Sequence, residues 1–350
     1  MHHTADMRLW QGRTDFEPEG RALRWHQVVA PLPQGDEAPG VVLLGVCSDE
    51  GVKRNQGRPG ASKGPDAIRR VLAGQAAHLR RPLYDAGNLL PDQDDLEALQ
   101  QEQAGLVGEL LARGHFPLLL GGGHEIAYGS YLGLIRSPGI DAAAPVGIIN
   151  FDPHFDLRFG PVASSGTPFR QIAEECQAGG REFAYFCVGV SETANTVALF
   201  DRAVALGVDY LMDEELTPWT VTAAQQRLQE FIDRCGALYL TIDLDVLPAA
   251  VAPGVSAPAA RGLSLELLEH LLSSVRGHAG KVPPGRVGKA GAAYGDEECR
   301  VEVSRRRVGP PLLGSELLPE LGQDVGLADK VVNDGTKTPA RIAHAVPCIT

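Results

Sequence analysis

The sequence predicts an α/β fold built on a mainly parallel sheet with helices on both faces. Three observations carry that expectation. Short apolar runs recur along the chain, at 41–46, 117–120, 146–151, 185–190 and 238–242. They are continuously apolar rather than alternating, as strands covered on both faces are. Amphipathic helical patterns lie between them, and such alternation marks a parallel sheet with helical crossovers.

Taken in order, residues 1–40 show no sustained period and read as an N-terminal extension. After the first strand, Pro65 suits the first turn of a helix, where its missing N–H costs nothing, and Ile68, Val71 and Leu72 begin its apolar face. Leu96, Leu99, Val107, Leu110 and Leu111 form the face of the next helix. Further on, Thr222 and Gln225 have the spacing of a capping box ahead of Leu228, Phe231 and Ile232. Ser264 is placed to cap a helix carrying Leu265, Leu268, Leu271, Leu272 and Val275 on one face.

The pattern changes at Lys281. Pro283 and Pro284, several glycines, the basic run Arg305 to Arg307, and Pro310 with Pro311 follow with little periodicity, and 312–321 is compatible with one short helix. The main domain is therefore 41–280. The atypical C-terminal region, 281–350, reads either as lacking persistent order or as the product of an altered reading frame.

A chain of 350 residues with 44% apolar content is long enough to bury a full core. No run of about 18 apolar residues occurs. Residues 1–20 lack the apolar segment of a secretory signal, so a cytoplasmic protein is expected. Cys47, Cys176, Cys187, Cys235, Cys299 and Cys348 are scattered singly, which suits reduced thiols better than a zinc site or a disulfide framework. The formal net charge of −12 argues against nucleic acid or an anionic membrane as partner, since either needs a basic surface to displace counterions. A small anionic substrate would need a local basic patch.

Three segments share one arrangement, an apolar run ending in ligand-type side chains. PLLLGGGHE ends in His124, INFDPHFD in Asp152, His154 and Asp156, and LYLTIDLDV in Asp243 and Asp245. Functional groups of open α/β sheets gather beyond the carboxyl ends of the strands, so the three segments should converge. In an extended chain residues i, i+2 and i+4 point to one side, which puts the aspartates and His154 of each segment on a shared face. Each segment alone has a plainer reading as a cap or turn; their repetition points to a metal centre. Four crowded aspartates repel one another, and two divalent ions would balance them. Carboxylate and imidazole ligands without thiolate favour Mn²⁺, with Zn²⁺, Co²⁺ or Fe²⁺ as alternatives. Two such ions about 3.5–4 Å apart can share a water and present it as hydroxide at neutral pH, so hydrolysis is the expected chemistry.

GGGHE, FDPHFD and TIDLDV resemble, in order, the three metal signatures of the ureohydrolases, the arginase and agmatinase superfamily. The resemblance covers about residues 41–275 and makes 41–280 the catalytic domain. It implies a three-layer α/β/α, arginase-like fold, two Mn²⁺ per subunit, and assembly into trimers or hexamers. It implies further that His124, Asp152, Asp156 and Asp243 hold one ion and His154, Asp152, Asp243 and Asp245 the other. Asp156 would also act in catalysis, holding or relaying the proton of the attacking water.

Three longer stretches resemble the formimidoylglutamases within that superfamily: SDEGVKRNQGRPGASKGPDAIRR, SSGTPFRQI, and GVSETANTVALF with GVDYLMDEEL. Ser165 stands in the segment where arginases and agmatinases usually carry a histidine that shuttles protons. The implied reaction, a step of histidine degradation, is attack of water on the amidine carbon of N-formimidoyl-L-glutamate, giving L-glutamate and formamide. That substrate carries two carboxylates, whereas agmatine is a dication, so the two need opposite pockets. Lys53, Arg54, Arg58, Arg158 and Arg170 lie on loops beside predicted strand ends. Arginine grips carboxylates bidentately, which makes Arg54, Arg158 and Arg170 the candidate substrate contacts, with Asn55, Asn195 and Thr196 as polar ones. His115 and His270 read as ordinary helix or surface histidines. The alternatives are an agmatinase or other guanidino-acid hydrolase, which shares every ligand, and a metal-binding paralogue with impaired catalysis. The second draws on the C-terminal region, where the last strand and closing helix usual in the superfamily are not recognisable, and where Glu297 and Glu298 lack the expected surroundings.

Overall fold

The apolar runs form the middle of one sheet. A computed structural model describes residues 1–17, 22–35, 37–79, 81–141, 143–279 and 345–349. In it β3 (Val41–Val46), β5 (Phe116–Leu120), β6 (Val146–Phe151), β7 (Ala184–Val190) and β9 (Ala237–Ile242) are parallel strands. Every residue of β6 and β7 is buried, which is why their sequences run apolar without alternation. Five further strands complete the sheet: β1 (His2–His3), β2 (Val29–Pro31), β4 (Leu83–Leu89), β8 (Asp209–Met212) and β10 (Ala345–Ile349). The order is β1-β4-β3-β5-β10-β9-β6-β7-β8, with β2 also paired to β4 and only β1 antiparallel to its neighbour.

Helices cover both faces. On one, α4 (Leu96–Ala112), α5 (Ile126–Arg136), α6 (Pro168–Ala178) and α7 (Val197–Ala205) pack Leu99, Val107, Tyr131, Phe169 and Leu199 against strand residues such as Val42, Leu119, Ile148 and Tyr185. On the other, α8 (Val221–Asp233) and α9 (Leu265–Ala279) bury Leu228, Phe231, Leu268 and Leu271 against Ile149, Phe186 and Leu238. Beside them α1 (Trp25–Val28) and α3 (Gly64–Ala73) cover Leu43, Leu118 and Leu120. The short α2 (Glu50–Arg54) follows β3. The architecture is the three-layer α/β/α expected. Ser264 caps α9 as anticipated, its Oγ accepting the Leu267 N–H at 3.3 Å.

Several elements differ from the sequence reading for identifiable reasons. Strand β4, LYDAGNL, is interrupted by Asp85 and Asn88 and gives no apolar run. Its Asp85 is buried because Arg69 of α3 meets it with two hydrogen bonds of 2.8 Å, while Trp10 Nε1 and the Gly87 N–H donate to the same carboxylate at 2.8 Å. The inner face of α3 is accordingly Pro65, Arg69 and Ala73. Val71, read as part of that face, is 67% exposed. Helix α8 begins two residues earlier than the capping box suggested: Thr220 is its N-cap and Thr222 lies inside it. His115 is neither in a helix nor at the surface. It is buried, accepts the Gly40 N–H at 3.1 Å and lies 2.7 Å from Glu37, tying the segment before β3 to the start of β5.

Residues 1–40 contribute β1 and β2 to the sheet. From the atypical region, 345–349 form β10 between β5 and β9, Pro347 facing Leu240 in register. Proline is unusual there because it has no N–H for the ladder, which hides the strand from a pattern reading. The suggested helix at 312–321, and Glu297 and Glu298, lie outside the described residues.

Candidate metal centre

The site begins where β5 ends. Gly121 to Gly123 lead from the strand into α5, and close approach rather than special backbone angles requires Gly122 and Gly123. A Cβ on Gly122 would stand 2.8 Å from the Val46 carbonyl, and one on Gly123 would stand 2.1 Å from Glu125 Oε2. His124 follows, buried, with Phe169 edge-on at 5.3 Å between ring centroids.

Strand β6 delivers the next three groups, though not along an extended face. The chain leaves the strand at Phe151, the Asp152 N–H reaches Val188 O at 3.0 Å, and Asp156 adopts φ 49°. A left-handed aspartate is uncommon, and here it turns the carboxylate back toward the cluster. Asn195 fixes this turn: its Oδ1 accepts the Phe155 N–H at 3.0 Å, and its Nδ2 donates to Pro153 O at 2.8 Å and Ser191 O at 2.9 Å. After β9, the Asp243 N–H donates to Phe151 O at 2.9 Å, and Asp243 Oδ1 accepts the Asp245 N–H at 3.0 Å at the head of the short turn 244–246.

All six side chains meet. His124 Nδ1 lies 2.9 Å from Asp152 Oδ2, 3.0 Å from Asp156 Oδ2 and 3.5 Å from Asp243 Oδ2. His154 Nδ1 lies 3.2 Å from Asp152 Oδ1 and 3.3 Å from Asp245 Oδ2. Asp152 thus turns one oxygen to each histidine. Two groups follow, His124–Asp152–Asp243 and Asp152–His154–Asp245, with ligand atoms in each within 4.8 Å of one another.

The electrostatics call for positive charge at this point. Burial, then the charge on Asp152, pushes Asp156 up to about 6. Burial and the neighbouring carboxylates also raise Asp243 and Asp245. Burial works against charge on His124 and His154 too, but the aspartates outweigh it, holding His124 well above the ordinary imidazole range and His154 up to about 12. Asp152, despite its burial, is held below the usual carboxylate range by both histidines. Protons or metal ions can supply this charge, and the hydrogen bonding distinguishes them. His124 Nδ1 is buried and makes no hydrogen bond of good geometry with any of the three oxygens around it, while Nε2 lies 3.1 Å from Thr241 Oγ1. Nε2–H donating to Thr241 leaves an Nδ1 lone pair facing carboxylates, an arrangement that suits a cation held between them. Asp245 Oδ1 is likewise buried without a partner. The donor set, oxygen and imidazole nitrogen only, fits two divalent ions.

The structure separates the six candidate substrate contacts. Arg54 spends its guanidinium on Glu50 at 2.9 Å, Glu97 at 2.6 Å and Ala163 O at 3.2 Å. Arg170 donates to Arg158 O at 2.9 Å and Glu174 at 2.5 Å, and Asn195 holds the ligand loop as described. Lys53 sits 3.9 Å from Glu50 and 3.8 Å from Asp94, and Arg58 clips the loop after β9 through Val255 O at 2.6 Å. Arg158 remains: its exposed guanidinium has no hydrogen-bond or ion-pair partner among the described residues. Its stem lies across Gly166 from the half-buried Asn55 amide, a Cβ on Gly166 falling 2.7 Å from Arg158 Cδ and 3.1 Å from Asn55 Nδ2. Thr196 is exposed at the N-cap of α7, its hydroxyl not used in capping.

Three supporting residues were not anticipated. Thr241 orients His124. Asn150 donates to Asp152 Oδ2 at 3.1 Å and to Tyr185 Oη at 2.9 Å. Glu125 is fully buried, and burial pushes its carboxyl up to about 7. Thr241 and Asn150 each stand two positions before an aspartate ligand, on the same side of the strand, and that spacing was the available signal. A cavity of about 610 Å³ opens along β8 between Tyr210, Met212 and Glu215, and is lined by no residue of this cluster.

Comparison with known proteins agrees with this geometry. The model of the arginase family matches residues 39–282. A formimidoylglutamase of Aeromonas hydrophila subsp. hydrophila is 56% identical over 273 residues, covering 77% of this chain and 86% of that protein. One of Chromobacterium violaceum is 47% identical over 293 residues, covering 83% and 89%. Among solved structures, a Trypanosoma cruzi formiminoglutamase with Mn²⁺ superposes with a TM-score of 0.62 at 28% identity, covering 72% of this chain and 84% of that one. A Bacillus subtilis formimidoylglutamase, at 23% identity and a TM-score of 0.65, shares the fold over 75% and 82%. The family match spans all three ligand segments, and the chain belongs to the arginase family.

Proposed function

We propose that this protein hydrolyses N-formimidoyl-L-glutamate to L-glutamate and formamide, with two Mn²⁺ ions held by His124, Asp152, Asp156 and Asp243 on one side and His154, Asp152, Asp243 and Asp245 on the other. The carrying observation is Asp152, whose two oxygens face two separate histidine-aspartate groups. Manganese follows from the donor set and from the T. cruzi relative. When bound, a pair of divalent ions supplies a water acidified toward neutral pH.

The chain's own residues do the rest. Asp156, aimed into the cluster by its left-handed backbone, is placed to hold the proton of that water. Arg158 presents an uncommitted guanidinium beside the Asn55 amide, which suits a substrate carboxylate; Thr196 is the remaining polar candidate. Arg170 acts behind Arg158 by holding its carbonyl. Histidine degradation, a cytoplasmic location and assembly into trimers or hexamers belong to the same proposal.

A substrate panel tests it. Formamide release from formimidoylglutamate is expected, with agmatine, guanidinobutyrate and arginine left intact. Turnover of agmatine alone would overturn the assignment, and two bound metals with no turnover of any of the four would favour a metal-binding paralogue.

A further inference from the structure

Glu125 stands beside His124, is fully buried, and has no part in the chemistry proposed above. Its Oε1 accepts the Gly51 N–H at 3.2 Å, while Oε2 is buried without a hydrogen-bond partner among the described residues. The carboxyl is wedged between two glycines: a Cβ on Gly51 would stand 2.2 Å from Glu125 Cδ, and one on Gly123 would stand 2.1 Å from Oε2. The carbonyl of the same Gly51 accepts two further N–H groups, from Asn55 at 3.0 Å and Ser165 at 3.0 Å. One residue therefore joins the turn carrying a metal ligand, the end of α2 and the loop 163–167. That loop continues to Gly166, whose carbonyl accepts the Arg158 N–H at 2.9 Å.

We propose that Glu125 is a positioning residue for the carboxylate end of the substrate. It sets Gly51, and through Gly51 the relative placement of Asn55 and the 163–167 loop against which Arg158 lies. The inference rests on the reading of Asn55 and Arg158 as substrate contacts. Glu125 Oε1 bonds the Gly51 backbone, and neither carboxyl oxygen bonds a side chain of the cluster among the described residues, so its effect belongs in binding and not in the chemical step. Weakening a hydrogen bond to a charged group lowers binding by about tenfold or more.

The test uses the full-length protein loaded with Mn²⁺. Glu125→Ala is expected to keep two metal ions, raise KM for formimidoylglutamate about tenfold or more, and leave kcat within about threefold. Amide exchange at 51–55 and at Ser165 should quicken. Glu125→Gln keeps an oxygen for the Gly51 N–H and should restore both KM and exchange. Gly51→Ala pushes a methyl group into the carboxyl and should raise KM in the same way, which keeps the test open if Glu125→Ala does not fold. Unchanged KM and exchange in Glu125→Ala or Gly51→Ala, or a loss confined to kcat, overturns the proposal. If the unaltered protein does not turn over formimidoylglutamate, the functional assignment fails instead, and the exchange measurement still decides whether Glu125 fixes these loops.

Discussion

Asp152 and Thr241 carry different parts of the metal centre. Asp152 faces both histidines, so Asp152→Ala should bind neither ion, whereas Asp245→Ala should lose one and keep the other; elemental analysis after dialysis separates these outcomes. Thr241 Oγ1 lies 3.1 Å from His124 Nε2. Thr241→Val should keep both sites but weaken metal affinity about 10- to 100-fold, the usual cost of losing the group that orients a ligand histidine. The aspartates also set a pH dependence. Asp156, Asp243 and Asp245 are raised in the folded protein, so without metal these groups favour folding at low pH, and that stability is lost as pH climbs above the ordinary carboxylate range, for Asp156 through about 6. The raised histidines act in the same direction at higher pH, and the lowered Asp152 acts only below this window. Bound cations remove the penalty on the ionised carboxylates. The rise in Tm on adding Mn²⁺ should therefore be larger at pH 7.5 than at pH 5, and an equal rise at both would contradict this account of the cluster.

At the scale of elements, what was legible follows from how each strand is buried. β6 and β7 are covered on both faces by side chains that have no other partner to seek, so burial writes itself as an apolar run. β4 is buried at every position but Asn88 and carries Asp85, paid for by an arginine on a helix that precedes it in sequence. Neither half of that pair can be read without the other. The same reason explains the arginines near the site. Arg54 looked available because Glu97 lies 43 positions away on α4, and nothing in the local sequence says that the two meet. The convergence of the candidate ligands was legible because they cluster at three strand ends, where topology brings short segments together. The buried Arg69–Asp85 pair gives this scale its prediction. Asp85→Ala leaves the Trp10 N–H without its acceptor and the Arg69 guanidinium without its buried carboxylate, with only Asn88 Oδ1 and Gly87 O still accepting from it, and should cost about 3–5 kcal/mol, read as a fall in the urea midpoint at constant metal.

At the scale of the whole molecule, the sheet order places the site. The chain builds β3 and β4 outward to one side, returns to β5, and then crosses to β6, β7 and β8 before coming back to β9. His124 follows β5 and the aspartates follow β6 and β9, so the centre forms beyond the carboxyl ends of strands where the order reverses, the position at which such sheets leave a crevice. β10 lies between β5 and β9, under the centre, and its proline and the composition around it kept it from being recognised as a strand. The centre as a whole asserts that two ions, sharing Asp152, act together. Titrating metal-free protein with Mn²⁺ while following formamide release from formimidoylglutamate tests this directly. The account predicts two ions bound per chain, with activity appearing as the second binds; full activity with one ion or none would contradict it.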